Sequence, residues 1–475
     1  MSLIRIRIEM KTKTISTLIS ALVASSAFAV TYDSENSPTP LGKDGTYVKL
    51  SAPAGTKDAI FDGQGQNNLF YVILDASNPE QDANFTIING FSATRDNKTS
   101  NEILTFKQQS ASKGIDATLT LKDGTYNFAM SDASELTITS AGYAEGVKSN
   151  RAVVFDSSTT TNLFTSKATF QGVKSAKVVS KGTINIYNTT YTTSVPSDVA
   201  YGQLHTYGTF IQESGTINAN DMLVESVNCN INGTLNLKQK SGATHYPVVI
   251  KDNRGLTFGK DAKLTTTVNS RIQLNLGSTL TIQSGEKSIA VDLIMFNDDR
   301  GTLNLSGKNS VVHTNGKFDT ILLTYSGKNV VKINVDDTNT FGKTYVASSP
   351  TFAIDNTSIR FEIDFNFTSD GQYLNLGEIY TGDKTPGVDP VFYVKDFKNG
   401  YLRASSIRTT GSTYVGETKL YIFNEASKQY EFTESQWIGN ATDGFILTVA
   451  VPEPAEWAMI FGGIALALAI YRRRK

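Results

Sequence analysis

A short phrase recurs in this chain: glycine, threonine, an apolar residue, asparagine, and usually a second apolar residue. It stands at Gly182-Thr-Ile-Asn-Ile, Gly215-Thr-Ile-Asn-Ala, Gly233-Thr-Leu-Asn-Leu and Gly301-Thr-Leu-Asn-Leu. Looser copies open at Gly255 and Gly277, and from Gly215 onward the separations are 18, 22, 22 and 24 residues. A repeat of about 20 to 25 residues, each with one short alternating strand opened by glycine, is the pattern of a parallel β-helix. Such a coil cannot bury its own inward face, but stacking on its neighbours at about 4.8 Å makes one continuous core. The apolar residues then point inward while Thr and Asn face outward or stack on their equivalents. The expected fold is therefore all-β, a right-handed parallel β-helix with terminal caps. The competing reading is a β-sandwich or propeller with evenly spaced hairpins.

Composition agrees. Only 19% of residues are charged and the net charge is close to zero. Weakly charged sequence rich in Thr, Ser, Asn, Val, Ile, Phe and Tyr favours strands over helices. No basic patch or arm is present, so nucleic acid is not an expected partner.

A second repeat lies inside the first. Val248-Val-Ile-Lys-Asp-Asn-Arg-Gly255 aligns with Ile294-Met-Phe-Asn-Asp-Asp-Arg-Gly301, 46 residues later. An apolar strand ends each time in a corner carrying Asx residues, an arginine and a glycine. Turn chemistry is the simpler reading, with Asp or Asn accepting local backbone bonds and Gly supplying the positive φ. The functional alternative is a site for an acidic polymer or Ca²⁺, with Asp252/Arg254 and Asp298/Arg300 as its residues. The phrase fades after about Tyr345, and 381–390 is a Pro/Gly-rich break.

Enzyme signatures are sparse. His205, His245 and His313 stand in no metal-binding spacing and are expected on coil surfaces. Cys229 is the one cysteine, and its alternation with Asn228 and Asn230 places it on an apolar strand face. No internal disulfide is possible, and no catalytic residue, cofactor or metal is assigned. Exposed aromatics such as Tyr393 and Tyr414 are candidate platforms for sugar rings.

Both ends carry addresses. From Met10 the chain reads as a basic stretch, an apolar stretch and a small-x-small site at Ala27 and Ala29, so signal peptidase is expected to cut after Ala29. Met10 is the expected natural start. At the other end, Val451-Pro452-Glu453-Pro454 leads into an apolar run from Trp457 to Tyr471, followed by Arg472, Arg473, Arg474 and Lys475. As a helix this run reaches about 22 Å, short of a hydrocarbon core of about 30 Å. Trp457 and Tyr471 would sit at the interfaces and the arginines on the cytoplasmic side. The organisation expected is a signal peptide over 1–29, a body with an N-terminal cap over 30–380, further coils or a cap over 391–450, and a sorting segment with a transmembrane helix over 451–475.

That last segment resembles the PEP-CTERM sorting signal. The resemblance covers 25 residues and implies recognition by an exosortase, a membrane protease of Gram-negative bacteria that make exopolysaccharide. Cleavage near Pro452–Pro454 and delivery to the cell surface or extracellular matrix follow from it. Ala455-Glu456 departs from the small hydroxyl residues commoner there. The middle of the chain, about residues 100 to 345, looks like the β-helical passengers of autotransporters and pectin-lyase-like surface proteins. The function expected is an exported, non-enzymatic surface protein near extracellular polysaccharide. Its rivals are a polysaccharide lyase or glycosidase on the same scaffold, or a glycan-binding adhesin.

Overall fold

The computed structural model describes residues 28–31, 33, 39–41, 48–51, 56–69, 72–75, 83–95, 101–107, 116–141, 151–195, 197–238, 247–266, 271–283, 289, 293–297, 300–308, 321–324, 330–345, 359–380, 389–407, 417–440, 442–449 and 472. They form an all-β protein of stacked parallel strands, divided into two compact units within Met1–Ser270 and Arg271–Lys475.

In the first unit each turn of chain visits three parallel ladders. One turn runs through Lys167–Val173, Ala176–Ser180 and Thr183–Tyr187, and the chain then returns in Gln203–Gln212 to pair with Lys167–Val173. The ladder holding Thr183–Tyr187 has eight strands, from Gln66–Leu69 through Phe91–Arg95, Gly124–Met130, Thr159–Phe164, Thr216–Ala219 and Thr234–Leu237 to Lys263–Thr266. Gln203–Gln212 bridges the other two ladders. Its first half pairs with Lys167–Val173 and its second with Ala176–Ser180. The bend falls at Gly208, whose φ is 70°; a Cβ there would lie 1.7 Å from the carbonyl oxygen of Gly172. Only glycine fits so close an approach of two backbones.

The alternation read in the sequence sets the core. Ile184, Ile186, Ile217, Leu235 and Leu237 are fully buried, while the Thr and Asn residues between them face out. Each buried Ile or Leu side chain contributes about 1.5–3 kcal/mol. Aromatic residues continue the stacking inside: Phe170 lies 6.0 Å from Phe155 and 5.3 Å from Phe210. Cys229 is buried, as its alternation required, and its thiol accepts from the Thr206 hydroxyl at 3.9 Å.

The phrase does not mark one face throughout. Its copies at Thr183, Thr216 and Thr234 lie in register on the eight-stranded ladder. The copy at Gly255–Phe258 instead pairs with Cys229–Ile231, on a different ladder. The step of 22 residues from Gly233 to Gly255 is therefore not one turn of the stack. The residue in register with Thr234 one turn later is Lys263.

In the second unit Thr279–Ile282, Thr302–Leu305, Val330–Val335, Arg360–Phe365, Val391–Lys395 and Lys419–Asn424 continue in parallel. Among the described residues, antiparallel strands end two ladders of this unit, the one just named and one that runs through Asn339–Thr340, Leu374–Asn375 and Leu402–Ala404. Gln429–Thr433 pairs with Lys419–Asn424; Gly444–Val449 pairs with Leu402–Ala404, and Ser435–Asn440 pairs with Gly444–Val449.

Candidate functional site

The outward face of the eight-stranded ladder carries two columns. Thr125, Thr160, Thr183, Thr216 and Thr234 are in register, and two residues further along each strand stand Asn127, Asn162, Asn185, Asn218 and Asn236. The asparagine amides bond in one direction. Asn236 donates to Asn218 at 2.9 Å, Asn218 to Asn185 at 2.7 Å, Asn185 to Asn162 at 2.9 Å, and Asn162 to Asn127 at 2.9 Å. Asn127 donates to the Ser92 hydroxyl at 3.0 Å, which lies 3.4 Å from the Tyr191 hydroxyl. The row keeps one direction as far as Ser92, and either hydroxyl of the Ser92–Tyr191 pair can donate. Every Asn of the repeated phrase in this unit belongs to the row. In the second unit a shorter row runs from Asn334 to Asn304, at 2.7 Å, and on to Thr281, at 2.9 Å.

A polar cluster on another ladder has no signature in the sequence. His205 sits 3.0 Å through Nδ1 from the Thr169 hydroxyl, which donates to Glu135 Oε1 at 2.7 Å. Since that hydroxyl's hydrogen goes to Glu135, Nδ1 carries the imidazole hydrogen and donates to Thr169. Nε2 is buried and faces Glu225 at 3.5 Å without a hydrogen bond. Lys167 pairs with Glu135 at 3.3 Å. Burial, helped by Lys167 and opposed by Glu225 and Glu135, holds the imidazole pKa below its ordinary value. The chemistry available is uptake of a proton at Nε2. Thr169 is no His-activated nucleophile, because its hydrogen points to a carboxylate instead. The expectation of a surface histidine is corrected here: His205 is 7% exposed, since its outward side chain is covered by its neighbours on adjacent strands. The register lines up Thr137, Thr169 and His205 one turn apart, and the sequence alone carries no sign of that alignment. His245 and His313 lie outside the described residues.

The acidic corners are described one unit at a time. Asp252 is exposed, Arg254 is half-buried, and no hydrogen bond or ion pair joins their side chains. Asp298 lies outside the described residues, and Arg300 is exposed in the other unit. The turn chemistry also differs from expectation. Asn253 takes the left-handed conformation at the first corner, φ 55°, and Arg300 at the second, φ 62°, rather than either glycine. Gly301 serves close packing instead, since a Cβ there would lie 2.5 Å from the Phe296 ring. Among the described residues no cluster of three or more His, Cys, Asp or Glu is placed to hold a metal ion.

Tyr393 is not an open platform. Arg360 lies 3.6 Å over its ring from the strand on one side, and Tyr421 stacks on it at 4.5 Å, nearly parallel, from the strand on the other. Both faces are occupied, so a sugar ring has no flat surface to meet there. Phe432 ends this row, edge-on to Tyr421 at 5.6 Å, and is 59% exposed. Tyr414 lies outside the described residues.

Ala29 belongs to the strand Phe28–Thr31, paired with Val48–Ser51; Ala27 lies outside the described residues. So do Pro452, Glu453, Pro454, Trp457, Tyr471, Arg473 and Arg474, while Arg472 is exposed. Among the described residues no helix is long and apolar enough to cross a membrane. Comparison with family models, curated proteins and solved structures found no match.

Proposed function

We propose that this chain is an exported surface or matrix protein whose body is a non-enzymatic, right-handed parallel β-helix. One observation carries the structural role. The outward amides of the eight-stranded ladder bond to their own equivalents from turn to turn, which stiffens the stack along its length. The rival reading, a polysaccharide lyase or glycosidase on the same scaffold, has Asp252 and Arg254 as the first residues to test. Delivery is assigned to the two sequence addresses. Signal peptidase removes residues 1–29, and an exosortase-type protease reads Pro452, Glu453 and Pro454 while the following apolar run holds the chain briefly in the membrane. Extracellular polysaccharide is the expected surrounding.

The test is the intact mass of protein extracted from the surface of its own bacterium. The expected species lacks both the leader and the tail beyond the Pro-Glu-Pro motif, and Pro452→Ala with Pro454→Ala retains the tail. Mature surface protein still carrying Lys475 would refute the sorting assignment. Turnover of acidic or neutral polysaccharide by the purified chain, abolished by Arg300→Ala, would replace the structural role with the enzymatic one.

A further inference from the structure

Among the described residues, the second unit ends on strands without the usual edge protection. Gln429–Thr433 and Ser435–Asn440 follow one another along the chain, and each has a single paired neighbour among the described residues. Edge strands are ordinarily blunted by lysine, proline or an inward charge. Ser435–Asn440, read as Ser-Gln-Trp-Ile-Gly-Asn, has none of these. Its Ile438 is 53% exposed and lies directly opposite Ile446 on the neighbouring strand, itself 36% exposed.

This strand is complementary to itself. In an antiparallel pairing of two copies centred on Ile438, the two Ile438 side chains meet on the axis. Gln436 then faces Asn440 of the other copy, amide to amide. Trp437 falls opposite Gly439, which has no side chain to obstruct the indole. No like charges meet anywhere in the register, whereas pairing Gln429–Thr433 with itself about its middle would set Glu431 against Glu431. We infer that Ser435–Asn440 is a homodimerisation edge, joined antiparallel to the same strand of a second copy through a two-fold axis at Ile438. A two-fold contact is closed, so it gives a dimer and not a fibre.

Cysteine cross-linking of the full chain tests this. Directly opposed residues of antiparallel strands have Cα atoms about 4.5–5.5 Å apart, within the range a disulfide spans. Ile438→Cys is therefore expected to oxidise to a disulfide dimer, roughly tenfold faster than Glu431→Cys because the paired thiols are held at high effective concentration. Cys229 is buried and takes no part. Mixing Gln436→Cys with Asn440→Cys should give the mixed dimer in excess of either like pair. Equal rates at 438 and 431 would mean random collision and overturn the proposal. A monomer whose thiol at 438 reacts freely with reagent would also overturn it. So would a monomer whose thiol is protected, which would mean that a segment of the same chain covers the edge.

Discussion

Asn185 is the middle of the amide row and the sharpest place to test whether that row stabilises the stack. Its side chain donates to Asn162 at 2.9 Å and accepts from Asn218 at 2.7 Å. Asn185→Ala removes both bonds and leaves an acceptor on one neighbour and a donor on the other. Each net hydrogen bond is worth about 0.5–1.5 kcal/mol, so the loss is about 1–3 kcal/mol. All three side chains are half-buried, and water reaching the gap puts the expected value toward the lower end. Asn236→Ala, at the end of the row, breaks one bond and should cost about half as much. Stacked repeats seldom unfold in one step, so the readout is amide hydrogen exchange within Thr183–Tyr187 and Thr216–Ala219. A loss of 2 kcal/mol corresponds to roughly thirtyfold faster exchange by local opening. If Asn185→Ala and Asn236→Ala speed exchange equally, or neither does, the row is ornamental and the argument for stiffness fails.

Gly208→Ala should destabilise the first unit by more than about 2 kcal/mol, from its positive φ and the clash with Gly172; a denaturation midpoint within error of the parent would refute that. His205 gives a pH dependence with a defined sign. Its folded-state pKa lies below the ordinary 6.5, so the unfolded chain takes up a proton first, and stability is lost as pH falls from about 6.5 toward the lower native value. The urea midpoint of the parent should therefore fall more between about pH 7.5 and about pH 5.5, one unit either side of the free imidazole value, than that of His205→Asn. Equal slopes would show that the imidazole titrates as it does in water.

The alternation of Thr-Ile-Asn-Ile makes the inward face and the outward Asn readable in the sequence itself, because a strand's side chains repeat every two residues. The ladder to which each copy belongs was not readable. Turns such as 188–202 vary in length, so equal sequence spacing does not mean equal register: Thr183 reaches Thr216, but Thr234 reaches Lys263 rather than a residue of the Gly255 copy. His205 shows the same limit. A lone histidine gives no sign of burial in sequence, since its cover comes from Glu225 and Thr169 on other turns. The corner at Arg300 was visible as a turn, yet which residue takes the positive φ depends on local packing. The Phe296 ring beside Gly301 illustrates that dependence.

The amide row has a consequence for how such a protein changes over generations. Each rung gives one bond to the turn before it and takes one from the turn after, so every interior turn presents the same two half-bonds. As far as the amide row is concerned, a turn that carries its own Thr and Asn can be duplicated or deleted and the flanking rungs rejoin, while the inward contacts of that turn must be refitted. Reach is thereby separated from stability. The length of the body can drift by single turns, as links are added to a chain, while each join remains chemically the same.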